Sequence, residues 1–403
     1  MRVLLVGSGG REHALGWKLA RSPRVTELIS LPGNPGLAEL GPVVEGIDGN
    51  DVGAVAAMAR VHGVDFVVVG PEGPLAAGLT DAVARLGIPV FGPTRAAARL
   101  ESSKAFAKEV MSRAGVATAG AERFTEPEPA KSHLDSHDGP YVVKADGLAG
   151  GKGVLVTDSK ADARSWVDHW IGEGPVVIED FLDGPEVSVF AVCTDSGAVA
   201  LEPARDYKRL LEGDEGPNTG GMGSYSPVAD LPSDLVEHTM SHVVRPTLAQ
   251  MEDDGNPFRG FLYAGMVLTE EGPKVLEFNV RLGDPETQAI IPRLGNDLID
   301  VLEGAEPEWT NHATVNVVLA ARGYPTSPEK GAEIRGLDGR LGEDVIVFHA
   351  GTVAEGKKVF VDGGRVLGVV GLGEDVEMAR DRAYEAAERI SWPGMQYRRD
   401  IAL

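Results

Sequence analysis

The sequence predicts an α/β and α+β multidomain chain that opens on a doubly wound parallel sheet, continues into a central unit with a hairpin lid, and closes on a small α+β unit. Three observations predict this. Short apolar strands alternate with helical stretches up to about residue 100 (VLLVG, ELISL, DFVVVG, PVFG), the pattern of a parallel sheet with helices on both faces. Two strands then flank a glycine string in YVVKADGLAGGKGVLVTD. From about residue 315 short strands and turns lead to one closing helix. The expected units are 1–103, 104–314 with a lid at about 118–187, and 315–403.

Composition bounds the function before any motif does. The 403 residues allow several sizeable cores, and 43% apolar with 25% charged residues is ordinary for a globular protein. A net charge of -23 without a Lys/Arg block argues against nucleic acid as a partner. No apolar run approaches bilayer length, so no membrane partner is expected and the cytoplasm is the expected location. The one cysteine, Cys193, lies in the apolar run VSVFAVCTD and reads as strand packing.

The first element, Val3 to Val6, reads as a buried strand ending in the turn of Gly7, Gly9 and Gly10, with a helix from Glu12. Such a turn aims backbone N–H groups and a helix dipole at an anion. A dinucleotide fingerprint would need a third glycine where Glu12 stands and an acidic residue closing the next strand, which instead runs into Pro32, Gly33 and Asn34. The same logic recurs where a second strand ends in Gly70, Pro71 and Glu72. Both turns lie at carboxyl ends of strands, where open sheets bind ligands.

In KADGLAGGKGV the phosphate-loop spacing fails, because Asp146 and Gly153 stand where Gly and Ser/Thr are required. A glycine hairpin over phosphates fits better, with Lys144 on the incoming strand and Lys152 at the tip. The strand leading into VIEDFLDGPE offers an apolar hinge for a base, and Glu186 a carboxylate for ribose hydroxyls. The stretch DYKRLLEGDEGPNTGGMGSYSPV shows no element of its own; a loop of that length is usually functional or disordered. A helix is expected at about 233–253, then two strands. On the second of these, VLEFNVRLGDPETQ, Glu277 and Asn279 share one face and make a hard-cation site suited to Mg2+ (or Mn2+) carrying ATP phosphates. Arg281, Asp284 and Glu286 follow at once. The pairs His133/His137 and His238/His242 have helical spacing without a metal-site context and read as solvated helix faces.

Taken in order, GSGGREHAL, VVGPEGPL, GPT, SKAF, KADGLAGGKGV, IEDFLDGPEVS, GPNTGGMGSYSP, FLYAGM and EFNVRLGDPETQ resemble the phosphoribosylamine–glycine ligase family of the ATP-grasp superfamily, over essentially the whole chain down to YRRDIAL. GPNTGGMG and EFNxRxGDPETQ are the specific parts. The resemblance implies an ATP-grasp core and an ADP-forming ligation of glycine to 5-phosphoribosylamine through glycyl phosphate, in purine biosynthesis, by a monomer. It implies that Lys104, Lys144, Gly151 and Lys152 meet ATP phosphates, that Glu179, Phe181 and Leu182 hold adenine, and that Glu186 holds ribose. Glu277 and Asn279 would bind the metal. Arg281, Asp284, Asp206 and Lys208 would act at the reacting groups, beside Asn218, Thr219, Gly220, Gly221, Met222 and Gly223. Gly9, Gly10, Gly70, Pro71 and Glu72 would receive phosphoribosylamine. Tyr207 stands where the resemblance predicts histidine, Gly150 where it predicts alanine, and FLYAGM offers no third metal carboxylate. A different ATP-grasp ligase or carboxylase, and a nucleotide-binding dehydrogenase or sensor, are the competing readings.

Overall fold

The computed structural model describes residues 1–150, 153–337, 339 and 341–403. The parallel sheet has the order Glu27–Pro32, Arg2–Gly7, Phe66–Val69, Val90–Phe91. Its central strands are apolar on both faces. Leu4, Val6, Val67 and Val69 enter one core and Val3, Leu5 and Val68 another, so the side-chain alternation is hidden inside a continuous apolar run.

The lid is an antiparallel sheet in the order Ala121–Phe124, Val176–Glu179, Tyr141–Ala145, Val154–Thr157. Its own small core packs Val143, Ile178 and Phe124 against helices Pro127–Asp135 and Lys160–Trp170. The first of these helices carries His133, as its helical spacing suggested, but ends at Asp135, before His137. Pro127 sits in its first turn, where a missing N–H costs nothing, and Ala130 and Leu134 supply the buried face.

An eight-stranded sheet carries most of the rest, in the order Gly272–Asn279, Gly260–Thr269, Glu186–Thr194, Gly197–Asp206, Gly223–Ser226, Ala313–Ala320, Arg365–Gly373, Val345–His349, beside a small sheet of Glu333–Ile334, Lys358–Val361 and Thr352–Glu355. Its last three strands come from the end of the chain and pair directly with the central unit through Gly223–Ser226. They nonetheless build a core of their own under the helix Val376–Ala387. Cys193 is fully buried in its strand, as read from its neighbours. The glycine-rich stretch after Tyr207 is not featureless: Arg209–Leu211 pairs with Glu215–Asn218, and Gly223–Ser226 joins the large sheet. The expected helix at 233–253 runs as Leu235–Thr239, a π-helical turn Met240–Val244, and Arg245–Asp253.

Candidate active cleft

Lid, parallel sheet and large sheet enclose a cavity of about 480 Å3. Its floor is the strand Gly272–Asn279. Glu277 pairs across the ladder with Gly265, so no carboxylate stands opposite it. Three lysines and an arginine face Glu277. Burial alone would push its carboxyl up, but Lys208, Lys144, Lys104 and Arg281 outweigh that and hold it below the usual carboxylate range. No ion pair within 4.0 Å engages Glu277 among the described residues, so its charge faces the cavity.

Lys104 opens the helix Lys104–Ala114, capped by the Ser103 hydroxyl, and its Nζ donates to the Gly147 carbonyl at 3.0 Å. Lys144 reaches down from the lid strand to Glu179 Oε2 at 3.0 Å and the Leu276 carbonyl at 3.3 Å. Lys108, one helical turn after Lys104, meets the same Glu179 oxygen at 3.0 Å. Burial lowers both Lys104 and Lys108, with nearby carboxylates opposing it. The Glu179 side chain is thus engaged by two lysines and the Asp180 N–H by the Gly120 carbonyl at 2.9 Å, which leaves the backbone of Phe181 and Leu182 as the part of the hinge without a hydrogen bond among the described residues. Beside it Val142, Val154, Leu276 and Val267 give the cavity an apolar slot. Glu186 lies at the rim, hydrogen-bonded to the Lys208 ammonium.

Strand alternation decides which side chains of 206–208 enter the cavity. Asp206 and Lys208 line it, while Tyr207 points to the opposite face. Asp206 is raised by burial and by Glu186 and Glu277, against the pull of Lys208. Glu286, 4% exposed, accepts from Ser188 Oγ at 3.2 Å, and burial plus the Asp206 charge push it up to about 7. Burial thus raises both Asp206 and Glu286, and neither has an ion pair within 4.0 Å among the described residues.

At the far wall Arg281 bridges Glu72 at 3.3 Å and Glu101 at 3.1 Å, and donates to Asn279 Oδ1 at 3.4 Å. Asp284 accepts from Gln288 Nε2 at 2.7 Å and faces Arg365 at 3.6 Å; burial would raise it, but Arg365 and Arg11 hold it low.

Of the positions singled out in the sequence, the phosphate-side lysines 104 and 144, the hinge, Glu186, Asp206, Lys208, Glu277, Asn279, Arg281, Asp284 and Glu72 all border this one cavity. So do Asn218, Thr219 and Gly220. Gly221, Met222 and Gly223 lie behind the wall: Gly221 has φ +109 against Pro285, and Met222 is fully buried. Gly9, Gly10, Gly70 and Pro71 also stand back from it. The Gly9 N–H donates to Glu12 Oε2 at 2.7 Å, and a Cβ on Gly70 would lie 2.2 Å from Glu12 Oε1. Glu12 therefore fills the space between the two glycine turns, which is why this turn is not a dinucleotide cradle. Gly151 and Lys152 fall outside the described residues. Sequence reasoning missed Lys108, Glu101, Arg11 and Arg365, and assigned no role to Glu286. Lys108 carried a signal in its i+4 spacing from Lys104; Arg365, which reaches the cleft from a strand more than 80 residues after Asp284, carried none.

Family models for phosphoribosylglycinamide synthetase match in three consecutive pieces: the N domain at residues 1–101, the ATP-grasp (A) domain at 102–287 and the C domain at 314–403. A phosphoribosylamine–glycine ligase of Streptomyces coelicolor is 49% identical over 100% of this chain and 99% of its own. That of Rhizobium meliloti is 45% identical over 100% and 98%. The crystal structure of the Thermotoga maritima phosphoribosylamine–glycine ligase superposes with a TM-score of 0.87 at 40% identity, covering 100% of both chains. The biotin carboxylase domain of a Hydrogenobacter thermophilus 2-oxoglutarate carboxylase shares the fold, with a TM-score of 0.74 at 18% identity over 98% and 91%. The chain belongs to the phosphoribosylamine–glycine ligase family of ATP-grasp enzymes.

Proposed function

We propose that this chain joins glycine to 5-phosphoribosylamine with ATP, giving glycinamide ribonucleotide, ADP and phosphate in purine biosynthesis. The observation that carries the reading is the arrangement of Lys104, Lys144, Lys208 and Arg281 around the ion-pair-free Glu277, beside an apolar slot and beneath the lid. The slot takes adenine, with the hinge backbone at Glu179, Phe181 and Leu182 reading its edge and Glu186 exchanging Lys208 for the ribose hydroxyls. Lys104 and Lys144, with Gly151 and Lys152 of the lid, meet the phosphates. Glu277 and Asn279 are two oxygen donors on one strand face and fit Mg2+ or Mn2+, which on binding neutralises phosphate charge.

A glycine carboxylate oxygen bonds to the γ-phosphorus as the bond to the ADP oxygen breaks, giving glycyl phosphate. The cationic side chains are already in place for the charge that moves to the leaving oxygen, which is where preorganisation lowers a barrier. The phosphoribosylamine nitrogen then bonds to the glycyl carbon, phosphate leaves, and the nitrogen's proton passes to the Asp206/Glu286 pair. Arg281 orients the acyl phosphate, and the Asp284 carboxylate the glycine ammonium, against Asn218, Thr219 and Gly220. Glu72, held low by Arg281 and Arg11 against its burial, takes phosphoribosylamine hydroxyls, and the turns at Gly9, Gly10, Gly70 and Pro71 shape the wall behind it. Closing the lid keeps water from the acyl phosphate.

The test is ADP release from Mg-ATP with glycine, phosphoribosylamine generated in situ, both, or neither. Release only with both, matched by glycinamide ribonucleotide, supports the reading; release independent of glycine removes it and leaves another ATP-grasp ligase or carboxylase. Among the described residues no helix is long and apolar enough to cross a membrane. With small-molecule substrates and a single buried thiol, the reading extends to a cytoplasmic monomer, checked by light scattering.

A further inference from the structure

Between Lys208 and Asn218, both of which border the cavity, the chain makes a two-stranded hairpin, Arg209–Leu211 with Glu215–Asn218, whose residues are almost all exposed. So short a ribbon is marginal by itself. Its turn also holds a non-glycine residue in the left-handed region, Asp214 at φ +55. The side-chain hydrogen bonds that tie this hairpin to another part of the molecule, among the described residues, come from residues 398–400. Arg398, 2% exposed, donates from Nη1 to Asp214 Oδ1 at 2.7 Å and to the Arg209 carbonyl at 3.1 Å. Its Nε and Nη2 form a fork on Asp400 at 2.7 and 2.6 Å. Asp400 in turn accepts from the Gly213 N–H at 2.8 Å, and the Arg399 N–H donates to Glu212 at 3.1 Å.

The same segment grips the base of the hairpin. The Arg398 guanidinium lies 4.9 Å from the Tyr207 ring centroid, and the Tyr207 hydroxyl accepts from the Ala402 N–H at 2.9 Å. Tyr207 is the residue between the cavity-facing Asp206 and Lys208. Its backbone bonds the far end of the glycine stretch, donating to the Gly223 carbonyl at 3.0 Å and accepting from the Met222 N–H at 2.7 Å. Behind Gly223 the fully buried Ile401 leaves no room: a Cβ there would stand 2.8 Å from its side chain. The tyrosine found where the resemblance predicts histidine thus serves the face turned away from the cavity.

We infer that residues 398–402 form a latch, with Arg398 and Tyr207 as positioning residues that hold Asp206, Lys208 and residues 218–220 in their cavity register. Neither latch residue touches substrate. The latch serves the glycine side of the cleft; it meets the nucleotide side only through the Lys208–Glu186 pair, which the proposed reading has ATP itself replace, while the adenine slot, Lys104 and Lys144 are held by other elements. The inference takes its substrate names from the proposed ligase reading.

The test uses full-length Tyr207→Phe, which keeps the ring and removes the acceptor, and Arg398→Lys, which keeps the charge and removes the fork. Hydrogen–deuterium exchange should show faster uptake confined to residues 209–220. Glycine KM should rise about 10-fold while ATP KM stays within about 2-fold, the split expected when one subsite loosens, and the double variant should do little more than Arg398→Lys alone. Unchanged exchange and kinetics in folded Tyr207→Phe overturn the latch. So does an equal rise in both KM values together with faster exchange across the whole chain, which marks general destabilisation. Confined exchange changes in a protein whose wild type turns over no glycine would support the latch and remove the ligase reading.

Discussion

Two glycine-rich turns flank the same cleft and differ in what surrounds them. In the turn that ends the strand Arg2–Gly7, a Cβ on Gly7 would lie 2.3 Å from Glu12 Cγ and one on Gly9 2.8 Å from Glu12 Oε2. In the lid turn, a Cβ on Gly147 or Gly150 would meet nothing within 4 Å among the described residues. The first set of glycines makes room for a buried carboxylate; the second keeps a flap unencumbered. The same division runs through the charges. Glu12 is engaged by Arg11 Nε at 2.6 Å and the Gly9 N–H at 2.7 Å, whereas Glu277 has no ion-pair partner within 4.0 Å among the described residues. One region is filled by its own side chains, and in the other Glu277 opens on the cavity.

The sharpest separation should come from the two glutamates. Glu277→Ala is expected to lower turnover by on the order of 10^3-fold, about 4 kcal/mol of transition-state stabilisation. The urea midpoint should fall only slightly, because the carboxylate, held low by Lys208, Lys144, Lys104 and Arg281, favours the fold at neutral pH but makes no ion pair within 4.0 Å among the described residues. Near-normal turnover would end the metal and phosphate assignment. Glu12→Ala should act on stability instead, lowering unfolding free energy by about 3 kcal/mol, since it leaves the buried Arg11 charge without its carboxylate and the Gly9 N–H without an acceptor. A urea titration in which Glu12→Ala matches the wild type would mean that the first turn is as open as the second.

That contrast also marks how far the sequence could be read. Strands such as Val3 to Val6 and the floor Gly272–Asn279 announce themselves through apolar runs and alternation, which are local. The division of labour between Glu12 and Glu277 is not local. Glu12 shows only as a missing glycine, and its role depends on Gly70, whose turn comes from another strand. Arg365 and Arg398 are invisible for the same reason, because they act on Asp284 and Asp214 from the far end of the chain. The hairpin Arg209–Leu211/Glu215–Asn218 was hidden differently. Its residues lack strand character, and contacts from residues 398–400 hold it.

Asp206 and Glu286 give a pH-dependent form of the comparison. Glu286 is pushed up to about 7 by burial and by Asp206. An acid whose folded pKa lies above its unfolded value favours the fold while protonated. Its stabilising share is complete below the unfolded value of 4.5 and is lost as pH rises through about 7. Glu286→Gln should flatten that part of the stability–pH curve, and calorimetry at pH 5 and pH 8 would show it. The same curve in Glu286→Gln and wild type would place the shared proton elsewhere in the cleft.

The smallest effects test the turns themselves. Gly70→Ala sets a methyl 2.2 Å from Glu12 Oε1, and the carboxylate cannot retreat without losing Arg11 and the Gly9 N–H. Overpacking at such a site costs about 1–3 kcal/mol. Gly147→Ala adds a methyl to open space at a backbone outside the left-handed region, so its cost should stay within about 0.5 kcal/mol. Any effect of Gly147→Ala should appear instead in ATP KM, where a stiffer flap changes closure. If both substitutions cost the same in urea, the surroundings of the two turns are energetically alike, and the difference in space around them does not govern their roles. If Gly70→Ala costs more and leaves ATP KM alone, a glycine in the first turn acts by clearance and one in the lid by freedom.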